Sequence, residues 1–461
     1  VIALNRVLVI GLDSAPPSTI FDKYLDEMPN LAEIVEQSIR GPLRSCHPPI
    51  TVPAWAVMAT GLTPGELGMY GFRHRQKGSY QENYLVTSRN FNAKAVWDFI
   101  AVGGRKSLIV GFPPSYPPLT VEGWLISDFH TPSDAKNYTY PPWLRIEVER
   151  IAGRYIHDVE FRVEDRKPLM RELKEMTQQH LKVVEKLALT KKWDLLWYVE
   201  IGLDRLHHAF WKFFDENHPK HVEEDEFSDF VREYYKMLDE GIGRLRAAAP
   251  DAHTLIVSDH GAKAMEGVFV INEWLADNGY LAFEEKPESQ TPFNKAKVRW
   301  DKTRAWGWGG YYARLFVNVR GREPQGIVDP EDVDSLLMEI SDDLRKVKTP
   351  AGKSMGVEIY KPSDLYPEVR GDPPDAILYF GNLSWRSAET VGHGNWFLEE
   401  NDTGPDDAVH DWDGIYLLYD PDGRIEPREE RRDIYDVAPT ILRIFGSEVE
   451  GMKGRPLIGG E

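Results

Sequence analysis

Val7-Leu8-Val9-Ile10-Gly11-Leu12-Asp13 is a short apolar run that ends on a carboxylate. A run of this kind has the pattern of a strand buried on both faces, as in a parallel sheet. The same pattern recurs at 195–200, 254–258 and 415–419, with helical periodicity in between. Strands alternating with helices predict an α/β fold around a central, mostly parallel sheet. Each run lies beside residues able to bind a metal. In open α/β sheets ligands collect at the carboxyl ends of strands, so residues far apart in the chain can converge there.

Working outward, the 461 residues are ample for a large core with inserted segments. We divide the chain into a core with the nucleophile (1–132), a helical insertion (133–185), a core with metal ligands (186–275), an inserted cap or lid (276–372) and a C-terminal core part (373–461). The cap contains Trp306-Gly307-Trp308-Gly309-Gly310, which reads either as a lid over a site or as a glycine-rich hairpin with packed tryptophans. Residues 436–445, with Pro439 in the first turn, read as a closing helix ended by Gly446.

Lys and Arg number 55 against 74 Asp and Glu, a net charge of −19. Such a surface repels phosphate polymers, so a nucleic acid polymer is not an expected partner. A small anionic substrate needs a local cationic well, which bound metal ions can supply. The single cysteine, Cys46, excludes an internal disulfide and a thiolate cage for zinc. No run approaches the roughly 20 apolar residues of a spanning helix, and 7–12 is too short for a signal-peptide core. The expectation is a cytoplasmic protein with no membrane partner; its oligomeric state stays open.

Four motifs carry the chemistry. Asp13 sits at a strand's carboxyl end. Pro48-Pro49-Ile50-Thr51-Val52-Pro53-Ala54-Trp55 runs on to Thr60-Gly61 and reads as a loop entering a short helix. Thr51 then lies at the helix N-terminus, where free N–H groups and the dipole favour a phosphoryl group. Its hydroxyl is a poor nucleophile at neutral pH and needs a base or a metal. Asp204 and His208, spaced i, i+4, share one helix face, while His207 points elsewhere. Asp259-His260-Gly261 follows an apolar strand, and the glycine permits a sharp turn that presents both side chains. A last histidine is needed, and the residues alone leave His393 and His410 open.

Sorted by chemistry, Asp13, Thr51, Asp259 and His260 would hold one ion, and Asp204, His208 and the last histidine a second. Nitrogen and oxygen ligands without thiolate suit Zn²⁺, with Mn²⁺ or Fe as alternatives. Two divalent ions roughly 4 Å apart would clamp the attacking and leaving oxygens of an in-line displacement. Arg73, His74 and Arg75 read as a surface basic cluster or as contacts to a substrate phosphate; no substrate-binding residue is assigned.

With these ligands in place, the chain resembles the alkaline phosphatase superfamily, in its type I phosphodiesterase or nucleotide pyrophosphatase branch, which includes predicted phosphohydrolases and phosphomutases. Further segments carry the resemblance: Met28-Pro29-Asn30-Leu31, Phe112-Pro113-Pro114-Ser115-Tyr116-Pro117-Pro118, the Asp204 helix through Trp211, Asn272-Glu273-Trp274-Leu275 and Asp436-Val437-Ala438-Pro439-Thr440. The resemblance implies a sheet between helices with a bimetal site at its edge, a covalent phosphothreonine at Thr51, and a final ligand just before a late strand, which matches His410. Sulfatases of the superfamily carry C/S-x-P-x-R; here Trp55 stands at the arginine and Cys46 lies five residues too early. The branch commonly has a histidine before the glycine that follows the nucleophile helix, where this chain has Leu67-Gly68.

The resulting expectation is two-metal hydrolysis of a small phosphodiester or nucleotide-like pyrophosphate. The competing readings are a phosphomonoesterase or phosphomutase of the same superfamily, and a non-catalytic metal- or ligand-binding protein.

Overall fold

The computed structural model describes residues 5–447 and 450–459. Its main sheet is built from β1 (Arg6–Leu12), β2 (Ser38–Arg44), β3 (Ser107–Val110), β4 (Gly123–Ile126), β5 (Thr139–Tyr140), β6 (Leu195–Glu200), β7 (Ala252–Val257) and β8 (Asp413–Tyr419). The order across the sheet is β2-β8-β7-β1-β6-β3-β4-β5, with short strands near residue 430 beyond or beside β2. Strands β7, β1, β6, β3 and β4 run parallel, whereas β8 runs against both β7 and β2. The mostly parallel α/β sheet read from the four apolar runs is therefore present, with β8 and the short edge strand β5 as its antiparallel exceptions.

Alternation along β1 explains why the run is apolar throughout. Val7 and Val9 enter one core with Trp197, Leu255 and Tyr416. Leu8, Ile10 and Leu12 enter the other with Tyr198, Ile256 and Leu417. Helices α1 (Thr51–Thr60), α2 (Arg166–Thr190), α3 (Gly202–Phe214), α4 (Asp225–Ala248) and α5 (Val437–Ile444) cover the two faces. Trp55 and Val57 of α1 and Ile441 of α5 pack on the Val7 side. Leu173 and Val184 of α2, Leu206 of α3 and Tyr235 of α4 pack on the other. The boundary read at 185 falls inside α2, whose apolar stripe belongs to the same core as β1. Among the described residues no helix is long and apolar enough to cross a membrane.

Gly11 faces α1 so closely that a Cβ there would meet Trp55 Cη2 at 2.4 Å. Absence of a side chain lets the indole lie across β1. Gly11→Ala is expected to destabilise the protein by ~1–3 kcal/mol through overpacking, read as a lower denaturant midpoint; an unchanged midpoint would show that α1 is free to shift.

The cap has its own core. Strands at Ala305–Trp308, Ala313–Val317, Ala376–Tyr379 and Glu358–Tyr360 form an antiparallel sheet with the helix Val333–Leu344 beside it. Leu315, Phe316, Ile340 and Leu378 share one apolar cluster. The sheet extends past the boundary read at 372, because Ala376–Tyr379 pairs with strands on both sides. A hairpin of the nucleophile segment, Arg73–Arg75 with Asn83–Leu85, is sewn into this cap. Tyr80 stacks on Trp300 at 3.7 Å between ring centres, and buried Arg75 pairs with both oxygens of Glu323. His74 is buried as well, so of the three basic residues at 73–75 only Arg73 is exposed.

Candidate active site

The parallel strands deliver the acidic residues to one edge of the sheet. Asp13 follows β1, Asp259 follows β7, and α3, which begins just after β6, carries Asp204 and His208. His410 arrives from the opposite direction on a strand, Ala408–Asp411, that pairs Ala262 with His410. Thr51 opens α1 as expected, and Gly61 closes that helix in the left-handed region with φ 68°.

These residues converge. Ligand atoms of Asp204, His260 and His410 lie within 4.8 Å of one another, as do those of Asp13, Asp259 and His260. His260 therefore stands between the two sets. Its Nε2 is 3.2 Å from Asp259 Oδ2, 3.7 Å from Asp13 Oδ1 and 3.3 Å from Thr51 Oγ1. His208 Nε2 is 3.3 Å from Asp204 Oδ1, and His410 Nε2 is 3.7 Å from the same oxygen. His393 lies elsewhere, with its Nε2 at Thr390 Oγ1 (2.7 Å) and its N–H donating to Glu273. His207 turns to Tyr235 on the far side of α3.

Every ligand candidate is tethered by the atom that faces away from the centre. Asp13 Oδ2 accepts from Trp55 Nε1 at 2.7 Å, Asp204 Oδ2 from Arg205 at 2.7 Å, and Asp259 Oδ1 from the Ser14 N–H at 3.2 Å. The imidazoles use Nδ1 in the same way: His208 toward Asp406 (2.6 Å), His260 toward the Gly261 carbonyl (3.0 Å) and His410 toward the Pro49 carbonyl (2.9 Å). The remaining oxygens, Asp13 Oδ1, Asp204 Oδ1 and Asp259 Oδ2, are buried and have no hydrogen-bond donor. Buried carboxylate oxygens left bare are costly unless a cation meets them. The donor set, its bare oxygens and its oriented Nε2 atoms fit divalent metal ions.

Burial and neighbouring charges set the protonation of these groups. Burial and the neighbouring carboxylate of Asp204 push Asp13 well above the usual carboxylate range, and burial with Asp13 does the same to Asp259. Burial acts upward on Asp204 too, but His208 and Arg205 hold it well below. Burial lowers His260 to about 4, so this ring is neutral at pH 7 and its Nε2 lone pair is free to coordinate. His410 is also driven well below its ordinary value, by burial and by His260 stacked on it at 3.8 Å.

Several contributors escaped the sequence reading. Ser14 adopts φ 65°, an uncommon conformation for a residue with a Cβ, and thereby aims its N–H at Asp259. Asp406 holds His208 with one oxygen and takes Arg162 and Arg386 with the other, each at 2.9 Å. Tyr311, from the turn of the cap hairpin, stacks on His410 at 3.9 Å and places its hydroxyl 3.2 Å from His208 Nε2. The glycine-rich stretch is thus both a hairpin with a packed Trp306 and a wall of the site. Above the centre a cavity of about 370 Å³ opens between Ile50, Phe72, Arg205, Gly310 and Tyr311.

Solved structures share this fold. The murine ectonucleotide pyrophosphatase / phosphodiesterase 5, as an inactive variant in complex with AMP, superposes with a TM-score of 0.56 at 12% identity, covering 98% of this chain and 97% of that one. The human ectonucleotide pyrophosphatase / phosphodiesterase 5 gives a TM-score of 0.56 at 14% identity with the same coverage, 98% and 97%. At these identities the likeness is one of fold. No curated protein matches the sequence. The family model for type I phosphodiesterase / nucleotide pyrophosphatase matches residues 7–413, from the second residue of β1 to the first of β8. A match that covers most of the chain and takes in every residue of the convergent centre means that this chain, a phosphoric-ester hydrolase, belongs to the type I phosphodiesterase / nucleotide pyrophosphatase family.

Proposed function

We propose that the protein hydrolyses a small phosphodiester or nucleotide-like pyrophosphate with two divalent metal ions, through a phosphothreonine at Thr51. One observation carries the reading: three carboxylates and three imidazoles are each tethered on the outer atom, and the inner carboxylate oxygens are buried without a donor, beside a threonine hydroxyl. Asp13, Thr51, Asp259 and His260 would hold one ion, and Asp204, His208 and His410 the other. When bound, the ions supply Lewis acidity that favours ionisation of the hydroxyl and offsets charge on the phosphoryl group.

The chain's own residues do the rest. Thr51 Oγ1 forms a bond to phosphorus, and the bond from phosphorus to the departing oxygen breaks on the opposite side. Water then displaces Thr51 in a second step, releasing the monoester. The N–H groups of Thr51 and Val52 open α1 without intrahelical acceptors, and Pro53 has none to donate, so these amides are placed to meet phosphoryl oxygens. Tyr311 covers His410, and Phe72 lines the cavity beside it. A nucleotide-like substituent is supported by the AMP held by the murine neighbour.

With Zn²⁺ or Mn²⁺ supplied, the full chain is expected to release 4-nitrophenolate from bis(4-nitrophenyl) phosphate faster than from 4-nitrophenyl phosphate. Asp406→Asn replaces the charged acceptor of His208 by an amide. The metal concentration giving half-maximal rate should rise by roughly 10–100-fold, the usual effect of losing such an orienting group. Full activity after exhaustive removal of metal would overturn the reading.

A further inference from the structure

The walls of the cavity above the centre carry more positive charge than the proposed chemistry uses. Arg205 is matched, by Asp204 at 2.7 Å and by both oxygens of Asp158 at 2.8 Å. Arg162 and Arg386, in contrast, share the single oxygen Asp406 Oδ2. Arg386 is 4% exposed, and its Nε–H is buried without an acceptor. Arg314 has no carboxylate partner among the described residues; it donates to the Arg73 carbonyl, and its Nε–H is likewise buried without an acceptor. Arg73 reaches a side-chain amide oxygen, Asn83 Oδ1, at 3.3 Å. The one carboxylate in the cavity wall, Glu389, belongs to an exposed residue.

In a chain of net charge −19, a cavity walled by under-neutralised guanidinium groups is a local well for anions. Buried guanidinium N–H groups without acceptors are costly, and a carboxylate or phosphate is the group their fork geometry suits. Arg73 and Arg314 also wall a second cavity, of about 300 Å³, that adjoins the first and is lined by Tyr80, Phe293 and Trp308. The two arginines therefore stand along the path from the metal centre outward, not at the centre itself.

We propose that Arg314, Arg386 and Arg73 form a second anion subsite. The substrate is then a phosphodiester whose one substituent carries a further anionic group, a carboxylate or a phosphate, set away from the scissile phosphorus. This rests on the proposed hydrolytic centre, and it deepens that reading by naming the charge on the substituent.

The test uses the metal-loaded full chain in buffer equilibrated with the same ion. Calorimetry compares propylphosphonate, 3-carboxypropylphosphonate and propane-1,3-bisphosphonate. Turnover compares 4-nitrophenyl phosphodiesters bearing the corresponding neutral, carboxylate and phosphate tails. We expect roughly tenfold tighter binding of the anionic-tailed compounds, consistent with one charge-assisted contact, and a matching fall in KM. The stronger of the two tails identifies the natural group. In Arg314→Gln the ratio of anionic to neutral affinity should fall toward one. Arg73→Gln, at an exposed position, should reduce it without risk to folding. Equal affinity for neutral and charged tails in the wild type would overturn the subsite, and so would a preference that survives both variants. If the preference holds while no diester is turned over, the hydrolytic reading fails and the anion subsite stands.

Discussion

Thr51→Ala is expected to reduce diester turnover by at least three orders of magnitude while the protein folds and binds metal. At ~1.4 kcal/mol per decade this is roughly 4 kcal/mol of lost barrier stabilisation. The magnitude follows from position. Thr51 is buried, its hydroxyl is 3.3 Å from His260 Nε2, and it occupies the first residue of α1, where amide dipoles favour phosphate. The other hydroxyl described at the centre, the Tyr311 phenol, lies at His208 Nε2 and not at the N-terminus of α1. Cys46 is buried with its thiol turned to the Pro48 carbonyl, and burial holds it protonated. Thr51→Ser keeps the nucleophile and should retain measurable turnover with a phosphoserine trapped on rapid acid quench. Should Thr51→Ala keep more than about a tenth of the wild-type rate, Thr51 is not the nucleophile.

Removal of metal should abolish turnover and also lower thermal stability, and the second effect is the more diagnostic. Asp13, Asp204 and Asp259 turn buried oxygens without donors toward one another, and burial holds Asp13 and Asp259 above the normal range, with Asp204 adding to it at Asp13 and Asp13 at Asp259. An ion at a thousand times its Kd adds about 4 kcal/mol to the folded state. Dialysis against a chelator is therefore expected to lower Tm by several degrees, and Zn²⁺ or Mn²⁺ to restore it together with activity. Asp204→Ala should bind one ion fewer per chain than wild type by elemental analysis. An identical Tm with and without chelator would count against ions in this centre.

How far the sequence could be read depended on how local each signal is. Asp13 and Asp259-His260 were legible because each follows an apolar run, and the end of a buried parallel strand is where a site must lie. Asp204 and His208 were legible because helical spacing alone puts them on one face. The choice of His410 over His393 was not settled by spacing; it depends on the pairing of Ala408–Asp411 with Gly261–Ala264, which is a long-range contact. Asp406 was illegible for a different reason. It lies in an acid-rich stretch with Glu399, Glu400, Asp402 and Asp407, where nothing distinguishes one carboxylate from the next. Arg162, Arg386 and Tyr311 come from three separate coil, edge-strand or hairpin positions that only tertiary folding brings together. Of the limits read for the inserted segments, 185 falls inside α2, and the strand Ala376–Tyr379, beyond 372, pairs with a strand before it, contacts that no local pattern announces.

The hairpin that threads from the nucleophile segment into the cap has a kinetic meaning. Tyr80 is clasped by two indoles and Arg75 by a buried carboxylate, so the roof is riveted to the floor. These contacts are expected to hold the cap in one position, so that turnover should show no slow opening step. With the cap so held, exchanging residues at the cavity rim is expected to change selectivity without creating a slow gating step.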